Sequence, residues 1–158
     1  MVAHYAAGHT DHMKPVAQNR RARYDYAIDD TMEAGLILTG QEAKSCRGGH
    51  VHVHAAYVSF VSNTPFLKGM KIAPYAFASG LKDYDPGRDR KLLLSKAQTA
   101  HLLAAVQEKG VTVIPMEVRA GKYIKVLLGL GRGVKRHDKR QRIREREQEK
   151  KLKKGQEY

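Results

Sequence analysis

The residues whose type and spacing most suggest chemistry are three histidines at alternate positions in GHVHVH, residues 49–54. On a strand, alternate side chains share a face and stand about 6.5–7 Å apart, which puts His50, His52 and His54 on one side and Val51 and Val53 on the other. Two neighbouring imidazoles can reach one zinc ion through bonds of about 2.0 Å. The outer pair, about 13 Å apart, cannot share that ion. A metal centre would therefore need ligands from elsewhere. No Asp or Glu lies between Glu42 and Asp83, and Cys46 is the lone thiol of the chain. The competing readings are a wet strand face with the valines in the core, or imidazoles that stack on or hydrogen-bond RNA. No metal is expected here.

Other catalytic patterns are missing. There is no glycine loop followed by lysine to cradle phosphate, no nucleophile elbow and no paired cysteine. GLGRG (129–133) closes a strand-like run, but no helix of a βαβ unit follows it, so a dinucleotide site is not expected. Glu33 and Glu42 show no acid/base spacing and read as surface or capping residues. The chain is expected to be no enzyme and to carry no cofactor.

The elements that would position these side chains are mostly strands. YDYAI (24–28), EAGLILTG (33–40), the long run HVHVHAAYVSFV (50–61) and FLKGMKIAPY (66–75) combine β-branched and aromatic residues with glycine or proline ends. The alternation loses phase at Ala55–Ala56, as at a bulge. QEAKSCR (41–47) allows one or two helical turns, NTP (63–65) reads as a turn, and residues 76–90 as a polar loop. Residues 95–110 form the clearest helix, with Ser95 and Gln98 spaced as a capping box and Gly110 placed to end it. VTVIPMEV (111–118) and YIKVLLGLG (123–131) follow, joined by a turn at 119–122. Short strands, one capped helix and glycine corners (Gly35, Gly40, Gly48, Gly49, Gly69) predict a mainly β protein, a small closed or nearly closed barrel with flanking helices. Residues 1–18 read as a flexible N-terminal arm, 19–131 as the barrel and 132–158 as a basic tail.

Charge decides the partner class. Lysine and arginine number 29 against 16 acids, a net +13. The tail alone holds twelve Lys/Arg and five Asp/Glu. Such a balance points to a polyanion, nucleic acid above all. The tail has only Val134, Ile143 and Leu152 as sizeable apolar residues, so it cannot dock as a core helix. Asp138 could cap it, with Gln141 three residues on, and Glu147–Lys151 and Glu149–Lys153 add i,i+4 pairs of only about 0.2–0.5 kcal/mol each. The tail is expected to be disordered when free and helical against a polyanion. One cysteine allows no internal disulfide and fits a reducing compartment. No run approaches the roughly 18 apolar residues of a membrane span, and residues 1–14 lack a secretory leader's apolar stretch. A cytoplasmic location and no membrane partner are expected.

Several segments together resemble the SsrA-binding protein family, also called SmpB. They are NRRARYDY (19–26), EAGLILTGQEAKSCRGG (33–49), DPGRDRKLLL (85–94), EKGVTVIP (108–115) and GLGRGVKRHDKRQRIRERE (129–147). They occur in family order and spacing over roughly four-fifths of the chain. The resemblance implies an OB-like β-barrel and an RNA-binding adaptor of trans-translation. Such an adaptor binds the tRNA-like domain of transfer-messenger RNA (tmRNA, SsrA RNA) and delivers it to stalled ribosomes. Alanyl-tRNA synthetase and elongation factor Tu would be met only indirectly, through that RNA.

By the same resemblance, Asn19 and Arg20 match the family's entry to the barrel. Glu33 matches the glutamate of its Glu-Ala-Gly segment, implicated in binding the tRNA-like part of the RNA. Lys44 and Arg47 match basic residues of the Gly-x-Glu-Val-Lys-Ser-Leu-Arg motif, and Arg88, Arg90 and Lys91 the arginine-rich approach to a Leu-Leu-Leu helix. Gly133, His137, Asp138, Lys139 and Arg140 match the tail that enters the empty mRNA channel and becomes helical near the decoding centre, against 16S rRNA. The chain departs from the family pattern at Ala43, Cys46, Asp89 and Val134, and at His52 and His54, where relatives carry other polar residues; this lowers the case for a metal further. A permanently bound structural protein of the ribosome is the alternative that composition alone allows.

Overall fold

The computed structural model describes residues 14–155. In chain order the elements are β1 (Pro15–Gln18), α1 (Ala22–Asp25), β2 (Tyr26–Leu36), α2 (Gly40–Arg47), β3 (Val51–His52), β4 (Tyr57–Val61), β5 (Thr64–Lys68), β6 (Lys71–Ile72), β7 (Arg90–Leu93), α3 (Lys96–Val106), β8 (Val111–Ala120), β9 (Ile124–Gly133) and α4 (Arg136–Gly155). Seven strands form one antiparallel sheet in the order β1-β8-β9-β2-β7-β5-β4, and β3 pairs with β6 beside it. The sheet curls until β4 packs across β8 and β3 reaches β1. The result is a mainly β, nearly closed barrel with flanking helices and a basic tail.

The barrel is filled by one face of each long strand. Val113 and Val118 of β8, Ile124, Val126 and Leu128 of β9, Leu67 of β5 and Leu92 of β7 meet Cys46 of α2 and Leu102 of α3 in a single core. The opposite face of the long strands is also covered. Ile114 and Met116 point outward under Ala22 of α1, joined by Tyr26, Ile28 and Leu127. Strict alternation cannot serve both layers along the whole of β8, because Val113 and Val118 differ in parity. A bulge between Pro115 and Glu117 supplies the change of phase. A second bulge, between Ile28 and Asp30 in β2, sends Ile28 outward and keeps Ala34 in the core.

The structure corrects several sequence expectations. Part of the supposed arm is ordered: Pro15–Gln18 pairs with β8, while residues 1–13 lie outside the described residues. The runs at 24–28 and 33–40 share one bulged strand, which takes only Tyr26–Leu36: Tyr24 and Asp25 end a helical turn before it, and residues 37–40 lie beyond it. The run at 50–61 is two strands, because Ala55 takes a positive φ of 63° and turns the chain. The run at 66–75 likewise breaks at Gly69, whose φ is 76° and whose missing Cβ would stand 3.1 Å from the Ala55 carbonyl oxygen. The reversal at 62–65 is Ser62–Asn63, both left-handed, with Thr64 and Pro65 already in β5. Arg90–Leu93 is a strand and not the start of a Leu-Leu-Leu helix; α3 begins at Lys96, on the predicted Ser95/Gln98 capping box. The turn between the last two strands lies at 121–123, since β8 runs to Ala120.

The tail boundary also moves. β9 continues through Gly133, which pairs with Tyr26, so the barrel ends two residues later than expected. The tail carries the helix α4 over Arg136–Gly155. Asp138 sits in its first turn and not at its cap, because the Lys135 carbonyl already accepts from the Lys139 amide. Two contacts supply what sequence pairs alone did not. The Val134 amide donates to the Asp25 carbonyl, and Lys139 Nζ donates to Asp25 Oδ1 at 2.9 Å, fixing the first turn to the barrel.

Three glycines near the end of β9 test how tightly the layers meet. A Cβ at Gly131 would stand 2.2 Å from the Ala27 carbonyl oxygen, which is backbone and cannot rotate away. A Cβ at Gly129 would meet the Met116 side chain, and one at Gly133 would meet nothing within 4 Å. Gly131→Ala should therefore lower stability by about 1–3 kcal/mol or more, Gly129→Ala by less, and Gly133→Ala scarcely at all. Denaturant midpoints of the three variants check this order.

Candidate nucleic-acid interface

Sorting the basic residues by what their side chains already touch separates structural cations from available ones. Arg90 belongs to the first group. Its side chain is 0% exposed. It is held by the carbonyls of Met70, Arg88 and Pro86 at 2.9–3.0 Å and by Glu42 Oε1 at 3.0 Å. Arg88 grips the same carboxylate with Nε at 2.8 Å and Nη2 at 2.5 Å. Arg90 is thus corrected from a phosphate contact to an interior clamp, and Arg88 is largely engaged at the clamp's mouth. Lys91, its neighbour on β7, faces solvent.

Glu42, which the sequence suggested for the surface or a cap, does both more and less. It completes a capping box with Thr39 at the start of α2, and it is buried. Burial pushes its carboxyl up, but the Arg88 hydrogen bonds, the Thr39 amide and the two guanidinium charges outweigh that, and its pKa falls below the ordinary glutamate range. Tyr84 closes the cluster, its hydroxyl donating to the Ile72 carbonyl at 2.9 Å.

Glu33 lies on the exposed face of β2 between Lys125 Nζ, at 2.9 Å, and Arg119 Nη1, at 3.5 Å. Arg119 also pairs with Glu117. Sequence reading found Glu33 but missed both cations, because they come from β8 and β9, far along the chain. Asn19 is a hinge post more than a free contact: its amide group donates to Pro115 O at 3.3 Å and its backbone N–H to Met116 O at 2.8 Å. Arg20 beside it is exposed, on the rim of a cleft shared with Arg23 and Glu117. Arg47 donates to the Gly121 and Lys122 carbonyls, bracing the β8–β9 turn. The Lys44 ammonium stands 5.4 Å from the Tyr75 ring centroid. Asp89, the departure that trims charge, pairs with Lys68 at 3.5 Å.

In the tail, His137, Asp138 and Arg140 are exposed on α4, and Gly133 ends β9. Lys139 is half-buried against Asp25 and stands 5.8 Å from the Tyr24 ring centroid. His50, His52 and His54 face solvent while Val51 and Val53 enter the core, so the alternation holds although only Val51–His52 is strand. Among the described residues no group of three or more His, Cys, Asp or Glu gathers where an ion could sit, and no helix is long and apolar enough to cross a membrane. The surface therefore offers exposed cations on the barrel (Arg20, Lys44, Lys91) and a helix with ten Lys/Arg against four acids.

Comparison with known proteins identifies relatives of the chain. A family model described as "SmpB protein" matches residues 16–157. An SsrA-binding protein of Acetivibrio thermocellus is 44% identical over 134 residues, covering 84% of this chain and 86% of its own. One from Nitratidesulfovibrio vulgaris is 45% identical over 133 residues, covering 83% and 85%. A chain of the solved structure "tmRNA-SmpB: a journey to the center of the bacterial ribosome" matches with a TM-score of 0.65 at 42% identity, covering 83% of this chain and 96% of that one.

Two measurements test the clamp. Glu42→Gln keeps the capping geometry but leaves two guanidinium groups without a counter-charge. Breaking such a buried pair costs about 3–5 kcal/mol, to be read as a lower denaturant midpoint. Because the folded pKa of Glu42 is depressed, its contribution is complete above the ordinary glutamate range and is lost as pH falls through the folded value. Acid unfolding of the wild type should show that loss, and Glu42→Gln should flatten it. Cys46 reports on the same region. Burial pushes its thiol up to about 11, so it should resist a thiol reagent at neutral pH until denaturant unfolds the barrel, and labelling should track the unfolding transition.

Proposed function

We propose, from the premise that this chain belongs to the SmpB protein family, that it is an RNA-binding adaptor of trans-translation. It binds the tRNA-like domain of tmRNA, delivers that RNA to stalled ribosomes, and sets its tail in the decoding centre. It acts in the cytoplasm, by positioning and without bond chemistry of its own. Contact with alanyl-tRNA synthetase and elongation factor Tu runs through the RNA.

The observation that carries this reading is the division of labour between barrel and tail. The barrel closes its core without α4, and α4 carries ten Lys/Arg while burying almost nothing. A folded RNA is recognised mainly through phosphates, shape and unpaired bases. Arg20, Lys44 and Lys91 on the barrel suit that task, with Glu33 held in place by Lys125 and Arg119. A long cationic helix suits a channel walled by rRNA phosphate. His137, Asp138, Lys139 and Arg140 lie in its first two turns, next to the barrel, and so at the depth set by how the barrel docks.

Truncation after Gly133 tests the division. Residues 134–158 hold eleven Lys/Arg and five acids, so nonspecific affinity at low salt must fall. The truncated barrel should remain folded and should still bind the tRNA-like domain of tmRNA at ~150 mM salt, yet fail to support peptide tagging on stalled ribosomes in a reconstituted system. Intact tagging, or complete loss of specific RNA binding, would overturn the reading.

A further inference from the structure

Between Ile72 and Pro86 the chain makes an Ω-shaped excursion whose neck is closed by an Ile72 N–H to Pro86 carbonyl hydrogen bond of 3.0 Å. The neck is fastened further on three sides. Ser45 Oγ donates to the Ala73 carbonyl at 2.6 Å, Tyr84 to the Ile72 carbonyl, and buried Arg90 to the Pro86 carbonyl. Local turns, Ala78 to Tyr75 and Tyr84 to Leu81, shape the loop itself. So firmly rooted a loop nevertheless carries Phe77 at its tip with 87% of the residue exposed, the most exposed large apolar residue among those described.

Phe77 does not stand alone. The Tyr75 ring meets it at 5.6 Å and 66°, an edge-to-face contact that braces the pair. The Lys44 ammonium stands over Tyr75, and Lys44 also lines the adjoining cleft with Thr39, Gln41, Asp83 and Tyr84. A cation, a braced aromatic and an open aromatic thus follow one another along the surface. A lone exposed phenylalanine needs no explanation, but this series matches what a splayed nucleotide presents: a phosphate, and a base with a bare π-face. We propose that Phe77, buttressed by Tyr75 and with Lys44 as its phosphate contact, is a stacking subsite for an unpaired nucleobase of the bound RNA. The inference rests on the RNA-binding reading above and adds a place and a mode of contact to it. The polar groups lining the cleft offer a donor or acceptor to the base edge, and stacking itself tolerates any base.

The test uses the full chain and a single-stranded oligoadenylate of about 12 nucleotides carrying 2-aminopurine. Its fluorescence falls when the base stacks. Phe77→Ala changes an exposed side chain and should leave the fold intact, as a thermal melt will verify. It should weaken binding by about 5- to 150-fold, the effect of one base–aromatic stack, and abolish the quenching. The slope of log affinity against log salt should not change, because no charge is lost. Phe77→Trp should restore binding and Phe77→Leu should not. Lys44→Ala should reduce the slope by about 0.7. Unchanged affinity in Phe77→Ala, or full rescue by leucine, would overturn the proposal: the first would take the aromatic tip off the RNA, and the second would make its contact apolar packing without stacking. In that case a transcript of the tmRNA tRNA-like domain should still bind the wild type, and the parent reading stands. Failure of the wild type to bind either RNA would remove both.

Discussion

A carboxylate without water must be neutralised where it lies, and Glu42 is 1% exposed. Its two guanidinium partners come from the end of the long loop and from β7, and the carboxylate itself stands on the first turn of α2. Arg90 then reaches on to the Met70 and Pro86 carbonyls. One ion cluster consequently fixes the register of β7, the seat of α2 and both ends of the loop at 73–85. Apolar replacements of similar volume often match such clusters in stability, but removing one partner alone is costly. The value of the arrangement lies in its directionality: only one disposition of these segments satisfies all of the donors.

That interior clamp shapes the outer surface. The arginines that hold the barrel together are withdrawn from it, while Arg20, Lys44 and Lys91 stay in solvent with other surface lysines and arginines and with most of those of α4. Several acids outside are paired as well. Glu33 lies between Lys125 and Arg119, Asp25 with Lys139, and Asp89 with Lys68. A phosphate-rich partner thus meets a surface with part of its negative charge already answered, and the net +13 of the chain favours approach at long range. The short link from β9 into α4, tied back by Asp25, sets the direction in which the cationic helix leaves the barrel. Positioning is then a property of the backbone, as an adaptor requires.

The sheet solves a second problem with two bulges. A strand that must feed a core on one face and a helix on the other can do so by strict alternation only while its partners keep step. β2 and β8 run past the point where α1 covers the outer layer, and each shifts phase once. Gly131, opposite the first of these shifts, has to lack a side chain because the Ala27 carbonyl occupies that space. Conformational freedom is not what this glycine supplies; it supplies room.

The sequence by itself determined the class of the protein and the chemistry open to it. The alternation of Val51 and Val53 with histidines, the Ser95/Gln98 cap, the glycine-closed strands and the loaded tail were legible because each depends on near neighbours in the chain. A barrel, a basic tail and a nucleic-acid partner follow from those signals, and the ordered family segments specify the RNA. What only the tertiary structure decided was set by contacts between distant residues. Arg88, Arg90 and Lys91 read alike in sequence, yet Arg90 points inward, Arg88 is gripped at the cluster's mouth and Lys91 is free, because Glu42 draws the two arginines in. The long run at 50–61 breaks at Ala55 because Gly69 crosses there. Lys139 anchors a tail helix because α1 ends with Asp25 beneath it. Local propensity cannot encode these choices, since each side chain's role depends on which charge or backbone the fold carries to it.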